Sequence, residues 1–154
     1  MLPNISISEI DYDLMRKAFG EASFCDASDS AFSVGSIVAT TEHEILSTGY
    51  SREFGRNWHA EEVAIDKACR KITSLADCIL YSTLEPCGVR SSRTVSCSQL
   101  ILRKHIQIVI FAESEPSSFV AAPKGRSLLS ENGVQVFKLD GFKSRFERQN
   151  IHIR

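Results

Sequence analysis

The apolar pattern predicts an α/β chain, a three-layer α/β/α sandwich around a mixed, mostly parallel five-stranded sheet. Three observations carry this. Short β-branched or apolar runs recur five times between stretches of helical periodicity, and strands alternating with helices favour parallel pairing across crossover helices. At 154 residues and 43% hydrophobic content, the chain can bury such a core without disulfides. Its five cysteines are odd in number and irregular in spacing, which is not a secreted disulfide framework, so a reducing, cytoplasmic setting is expected. Residues 1–154 are expected to form one domain, with 1–7 and 143–154 as flanking arms.

The elements follow in order. Ser6 and Glu9 have capping-box spacing, and Ile10, Leu14, Met15, Ala18, Phe19 and Ala22 recur at three- and four-residue intervals, predicting a helix that ends near Ala22. After a polar turn from Cys25 to Ser30, strands are predicted over Phe32 to Ala39 and Glu44 to Tyr50. A polar loop, Ser51 to Asn57, leads to a helix from near His59 to about Lys71. Glu61 and Glu62 fall in its first turn and Lys67, Arg70 and Lys71 in its last, as the helix dipole favours. Its inner face is expected to be Ala64, Ile65, Ala68, Cys69 and Ile72. A strand over Cys78 to Thr83 delivers the chain to Glu85-Pro86-Cys87. A helix from Cys97 to about Lys104, a strand over Ile106 to Ala112, a helix over Pro123 to Asn132 stopped by Gly133, and a strand over Val134 to Leu139 complete the sheet. The tail from Phe142 reads as a short helix or an extended arm.

Charge and hydropathy exclude several functions. A formal charge of −1 with no dense Lys/Arg run makes long nucleic acid a poor partner, and a small molecule a better one. No apolar run approaches the roughly 18 residues of a membrane span, so no membrane partner is expected.

The chemistry concentrates in three places: His59-Ala60-Glu61 at a helix start, Pro86-Cys87 after a strand, and Cys97. Imidazole and two thiolates are good zinc ligands, and three of them leave a fourth position for water, the arrangement of a catalytic site. Glu61, two residues after His59, then stands near that water without having to bind metal. This is the layout of zinc deaminases, in which the carboxylate moves protons between water, a ring nitrogen and the departing amine. Glu62 points about 100° away around the helix and is expected to be solvated. Cys25, Cys69 and Cys78 are expected to pack as core thiols and His43 and His105 to lie at the surface. Nine residues separate Cys87 from Cys97, and the intervening loop, Gly88 to Ser96, carries Arg90 and Arg93 among four hydroxyl residues. It is expected beside the site, where it can meet a phosphate or sugar hydroxyls. Glu115-Pro116, after the fourth strand, is expected at the pocket rim.

Five stretches resemble the pyrimidine deaminases of riboflavin biosynthesis, especially the fungal type: Phe32 to Val38, Ile45 to Glu53, His59 to Glu61, Leu80 to Cys87 and Glu115 to Val120. The long spacing between the two cysteines also looks like that branch. Three positions depart from the bacterial members: Ala31-Phe32 replaces Asn-Pro, Ser51 replaces His, and Ser92-Arg93-Thr94-Val95-Ser96-Cys97 replaces Gly-Arg-Thr-Pro-Pro-Cys. The resemblance implies a cytidine deaminase-like fold, zinc, and hydrolysis of the 2-amino group of a diaminopyrimidinone carrying a ribosylamino or ribitylamino 5'-phosphate. It also implies that the backbone of Ala60 meets the base. Ser51, Arg52, Arg90 and Arg93 are candidate sugar or phosphate contacts, and Glu85 is a candidate to orient the ligand loop or touch the base edge. The later reduction step is expected of another protein, and a homodimer is expected. The same four residues would also serve a cytidine or deoxycytidylate deaminase, so that alternative stays open, as does a zinc-stabilised binding module without turnover.

Overall fold

A computed structural model describes residues 2–89, 94–116 and 125–153. Five strands form one sheet in the order β2-β1-β3-β4-β5: β1 Gly35–Thr40, β2 Ile45–Tyr50, β3 Cys78–Leu84, β4 Ile108–Glu113 and β5 Gln135–Lys138. β1 pairs antiparallel with β2 and with β3, while β3-β4 and β4-β5 pair in parallel. Four strands therefore run one way and β1 alone runs against them, which is the mixed, mostly parallel sheet expected.

Among the described residues five helices cover the two faces: α1 Glu9–Ala22, α2 Ala60–Cys69, α3 Cys97–Arg103, α4 Gly125–Glu131 and α5 Lys143–Gln149. α1 and α5 share one face, where Leu14, Met15, Phe19 and Phe146 pack on Ile37, Ile79, Tyr81 and Ile110. On the other, Ala64, Ile65, Ile101 and Leu129 from α2, α3 and α4 pack on Val38, Leu80 and Val109. β3 is enclosed from both sides, which explains its near-continuous apolar sequence. Among the described residues no helix is long and apolar enough to cross a membrane.

Several local expectations are corrected. The first helix is capped by Ser8, whose N–H donates to Asp11 Oδ2 at 2.9 Å, and Ser6 has no part in it. Asp11 heads the inner stripe at the three- and four-residue interval ahead of Leu14 and Met15, so Ile10 turns outward and is 42% exposed. The Tyr81 hydroxyl donates to Asp11 Oδ1 at 2.6 Å, which gives the buried carboxylate a partner. Cys69 is exposed at the last position of α2, because the inner stripe is only as wide as Ala64, Ile65 and Ala68. Of the two forms expected for the tail, a short helix or an extended arm, it takes the helix, α5, and Phe146 is buried in the core. Gly133 follows α4 with φ +85°, a left-handed stop. The expected start of that helix at Pro123 lies outside the described residues.

Helix and sheet approach closely at Gly35. A Cβ there would sit 1.8 Å from the Ala18 carbonyl oxygen, so only glycine lets α1 lie this near β1.

Candidate metal centre and substrate cavity

The fold gathers the three sequence-predicted ligands at the carboxyl ends of the parallel strands, where open α/β sheets hold their ligands. His59 is the N-cap of α2, with extended backbone at φ −84° and ψ 154°. Its N–H donates to Glu62 Oε1 at 2.9 Å, so Glu62 closes a capping box. Glu62 is therefore buried, contrary to the solvated position expected for it: the backbone of the helix start takes up its carboxylate. Cys87 follows β3 through Glu85-Pro86. Cys97 opens α3, whose N-cap Ser96 accepts from Gln99 N–H at 3.1 Å while Gln99 Oε1 accepts from Ser96 N–H at 2.9 Å. This second box fixes the start of α3, with Cys97 at its first position.

The ligand atoms of His59, Cys87 and Cys97 lie within 4.8 Å of one another. His59 Nδ1 is 3.3 Å from Cys97 Sγ and 3.7 Å from Cys87 Sγ, and the Cys97 N–H donates to Cys87 Sγ at 3.3 Å. Hydrogen bonding from Cys97, aided by His59, holds the Cys87 thiol well below its usual range and overcomes the opposing effect of burial. One imidazole and two thiolate-forming sulfurs at this separation fit a single soft-to-borderline cation.

Glu61 occupies the first turn of α2 beside this cluster and is 4% exposed. Burial pushes its carboxyl up to about 7, with the His59 charge pulling down and Cys87 pushing up. A cavity of about 510 Å³ opens onto His59, Glu61, Cys87 and Glu85.

The other candidates take varied positions. Glu85 is 2% exposed, with Oε1 accepting from Glu115 N–H at 3.0 Å and Oε2 from Arg126 N–H at 3.1 Å. It orients the cavity rim and the start of α4. Glu115 and Pro116 line the cavity as expected. Ser51 lines it too, yet its hydroxyl accepts from Val34 N–H at 3.0 Å. Arg52, in left-handed backbone at φ +66°, donates to Phe32 O at 3.2 Å and Asp26 O at 2.8 Å, and its Nε is buried with no partner among the described residues. Ala60 is fully buried under Gly49, so its side chain is shut off from the cavity. Arg90 and Arg93 lie outside the described residues.

Sequence reasoning missed the wall formed by Ala31, Phe32 and Val34, and also Trp58. Trp58 carried a signal, standing next to His59. The wall carried one only as a stretch resembling the deaminases, with no chemistry assigned to it: it reaches the site because β1 runs antiparallel, which brings its amino end to the carboxyl ends of its neighbours.

The family model described as the cytidine and deoxycytidylate deaminase zinc-binding region matches residues 8–113. The chain belongs to that deaminase family. Among curated relatives of this chain, the diaminohydroxyphosphoribosylamino-pyrimidine deaminase of Schizosaccharomyces pombe is 43% identical over 141 residues, 90% of this chain and 34% of that protein. The riboflavin biosynthesis protein RibD of Actinobacillus pleuropneumoniae is 32% identical over 136 residues, covering 88% of this chain and 35% of that protein. The chain thus spans about a third of the length of these relatives. Among solved structures, Aspergillus oryzae Rib2 deaminase in complex with DARIPP superposes with a TM-score of 0.79 at 25% identity, covering 93% of this chain and 91% of that one. The dCMP deaminase of cyanophage S-TIM5 shares the fold with a TM-score of 0.66, over 87% of this chain and 100% of that one, at 22% identity.

Proposed function

We propose that this deaminase hydrolyses the 2-amino group of a diaminopyrimidinone bearing a ribosylamino or ribitylamino 5'-phosphate, releasing ammonia, with His59, Cys87 and Cys97 holding zinc. The observation that carries the reading is a cluster of one imidazole and two cysteines that opens, through His59 and Cys87, onto a cavity also lined by the buried Glu61 carboxyl. Zinc bound by three such ligands supplies a Lewis acid and a water acidic enough to ionise near pH 7. Everything else falls to this chain's own groups. Glu61, with a carboxyl near 7, exchanges its proton readily at neutral pH and is the group that accepts a proton from the attacking water. The same carboxyl delivers that proton to the ring nitrogen, then takes the remaining proton from the added hydroxyl and passes it to the departing amine. Oxygen replaces nitrogen on the ring carbon, and ammonia leaves. Glu85 holds the rim through two backbone amides, and Arg52, on the cavity lining, is the candidate contact to the sugar phosphate.

The choice of a diaminopyrimidinone over cytosine rests on the 43% identical pyrimidine deaminase and on the complex of the fungal deaminase with DARIPP. The test is ammonia release by the zinc-loaded protein on both diaminopyrimidinone phosphates, beside cytidine and deoxycytidylate. Turnover of a diaminopyrimidinone is expected, with Glu61→Gln slower by about 10²–10⁴-fold. Turnover of the cytosine compounds alone would replace this substrate with theirs.

A further inference from the structure

One wall of the cavity is not part of the sheet. Residues 31–34 lead into β1 without joining it, yet Ala31, Phe32 and Val34 line the cavity. Backbone polar groups in such a segment must find partners outside a strand ladder. These find them in side chains from far along the chain. Ser33 N–H donates to Asn150 Oδ1 at 2.6 Å, and Asn150 Nδ2 donates back to Ser33 O at 3.4 Å. One side-chain amide thus takes both backbone groups of Ser33, the residue between the wall residues Phe32 and Val34, as a neighbouring strand would. His152 Nε2 lies 3.1 Å from Ala31 O, and Phe146 packs on Phe32 with ring centroids 5.7 Å apart.

Asn150 is itself fixed. It is 5% exposed at the C-cap of α5, and its Nδ2 also donates to Phe146 O at 3.0 Å. Phe146 is buried against the sheet, so the amide is referred to the core and not to solvent.

We infer that Asn150 is a positioning residue for the substrate cavity, acting through Ser33 on the wall residues Phe32 and Val34. α5 packs on the sheet face opposite α2, which carries Glu61 and is capped by His59, and α3, which begins at Cys97. Losing the amide therefore moves the wall without moving the proton-transfer group. Binding weakens alike in ground and transition states, which raises KM and spares kcat. Only this kinetic consequence rests on the deaminase reading above.

The test compares zinc-loaded Asn150→Ala, Asn150→Asp and Gln149→Ala, each in the 154-residue chain. Gln149 lies on the same helix and donates to Phe19 O at 2.8 Å, away from the wall, so its variant reports simple loosening of α5. Asn150→Asp keeps the acceptor for Ser33 N–H. Two readouts are taken: amide exchange at Ser33 and Val34 by mass spectrometry, and steady-state kinetics on the diaminopyrimidinone phosphate that the parent turns over. For Asn150→Ala, exchange faster by about ten-fold and KM higher by about ten-fold are expected, with kcat within about two-fold. Asn150→Asp should recover part of both effects, and Gln149→Ala should show neither. Unchanged exchange in Asn150→Ala, or an equal rise in KM in Gln149→Ala, overturns the inference. If Asn150→Ala does not fold, Asn150→Asp against Gln149→Ala decides by the same readouts. If the parent turns over no diaminopyrimidinone, the substrate assignment fails, and the exchange comparison still judges the clamp.

Discussion

Glu61 and Glu62 are adjacent in sequence, one turn position apart, and meet different environments. Glu62 returns to the His59 amide and is satisfied there, whereas Glu61 faces the cavity and has its ionised form disfavoured by burial. A carboxyl whose folded pKa is raised to about 7 from 4.5 binds its proton more tightly folded than unfolded, so the metal-free protein loses stability as pH rises between those values. Glu61→Gln removes that loss. In the metal-free state, the variant should match the parent near pH 4.5 and exceed it by up to about 3 kcal/mol at pH 8. Urea unfolding at both pH values measures this, and a gap that does not widen with pH contradicts the assigned burial effect.

At the scale of elements, the site depends on how closely helices can approach strands. Gly35 opens β1 and also follows directly on the cavity wall, with its N–H donating to Thr83 Oγ1 at 3.2 Å. The Cβ of an alanine would be 1.8 Å from backbone that cannot rotate away, so α1 must shift as a body. Gly35→Ala should cost about 3 kcal/mol or more, beyond the usual cost of overpacking by one methyl, and should lower the thermal midpoint. A similar approach ties α4 to the ligand loop, where Gly125 sits against the Pro86 carbonyl. A neutral result at Gly35 would mean that α1 slides more freely than this packing implies.

For the whole molecule, the ligand set joins two helices and a strand exit that are far apart in sequence, so any metal held there crosslinks the face formed by α2 and α3. Zinc at about a hundred times its dissociation constant adds roughly 2.7 kcal/mol of stability by mass action, or a thermal shift on the order of 5–10 °C for a chain this size. Stripping zinc with a chelator and restoring it should reverse that shift. Replacing Cys97 by Ser should abolish most of it, and a shift that survives the replacement would place the stabilising metal elsewhere.

Periodicity and motif spacing were enough for the sheet, the helices that cover it and the cluster of His59, Glu61, Cys87 and Cys97, because each depends on local patterns: apolar alternation, a capped helix start, a strand running into Pro-Cys. The sequence by itself therefore determined the architecture and brought the candidate chemistry to three short stretches. The tertiary structure alone decided what surrounds that chemistry. Whether Asp11 or Ile10 heads the first helix depends on the Tyr81 hydroxyl seventy residues away. Whether Ser51 and Arg52 are free to meet substrate depends on the carbonyls and amides of residues 26–34, which they already hold. The wall at Phe32 and its tie to Asn150 depend on one strand running against four. Such pairings link distant side chains to backbone groups that carry no identity in the sequence, so no local pattern encodes them.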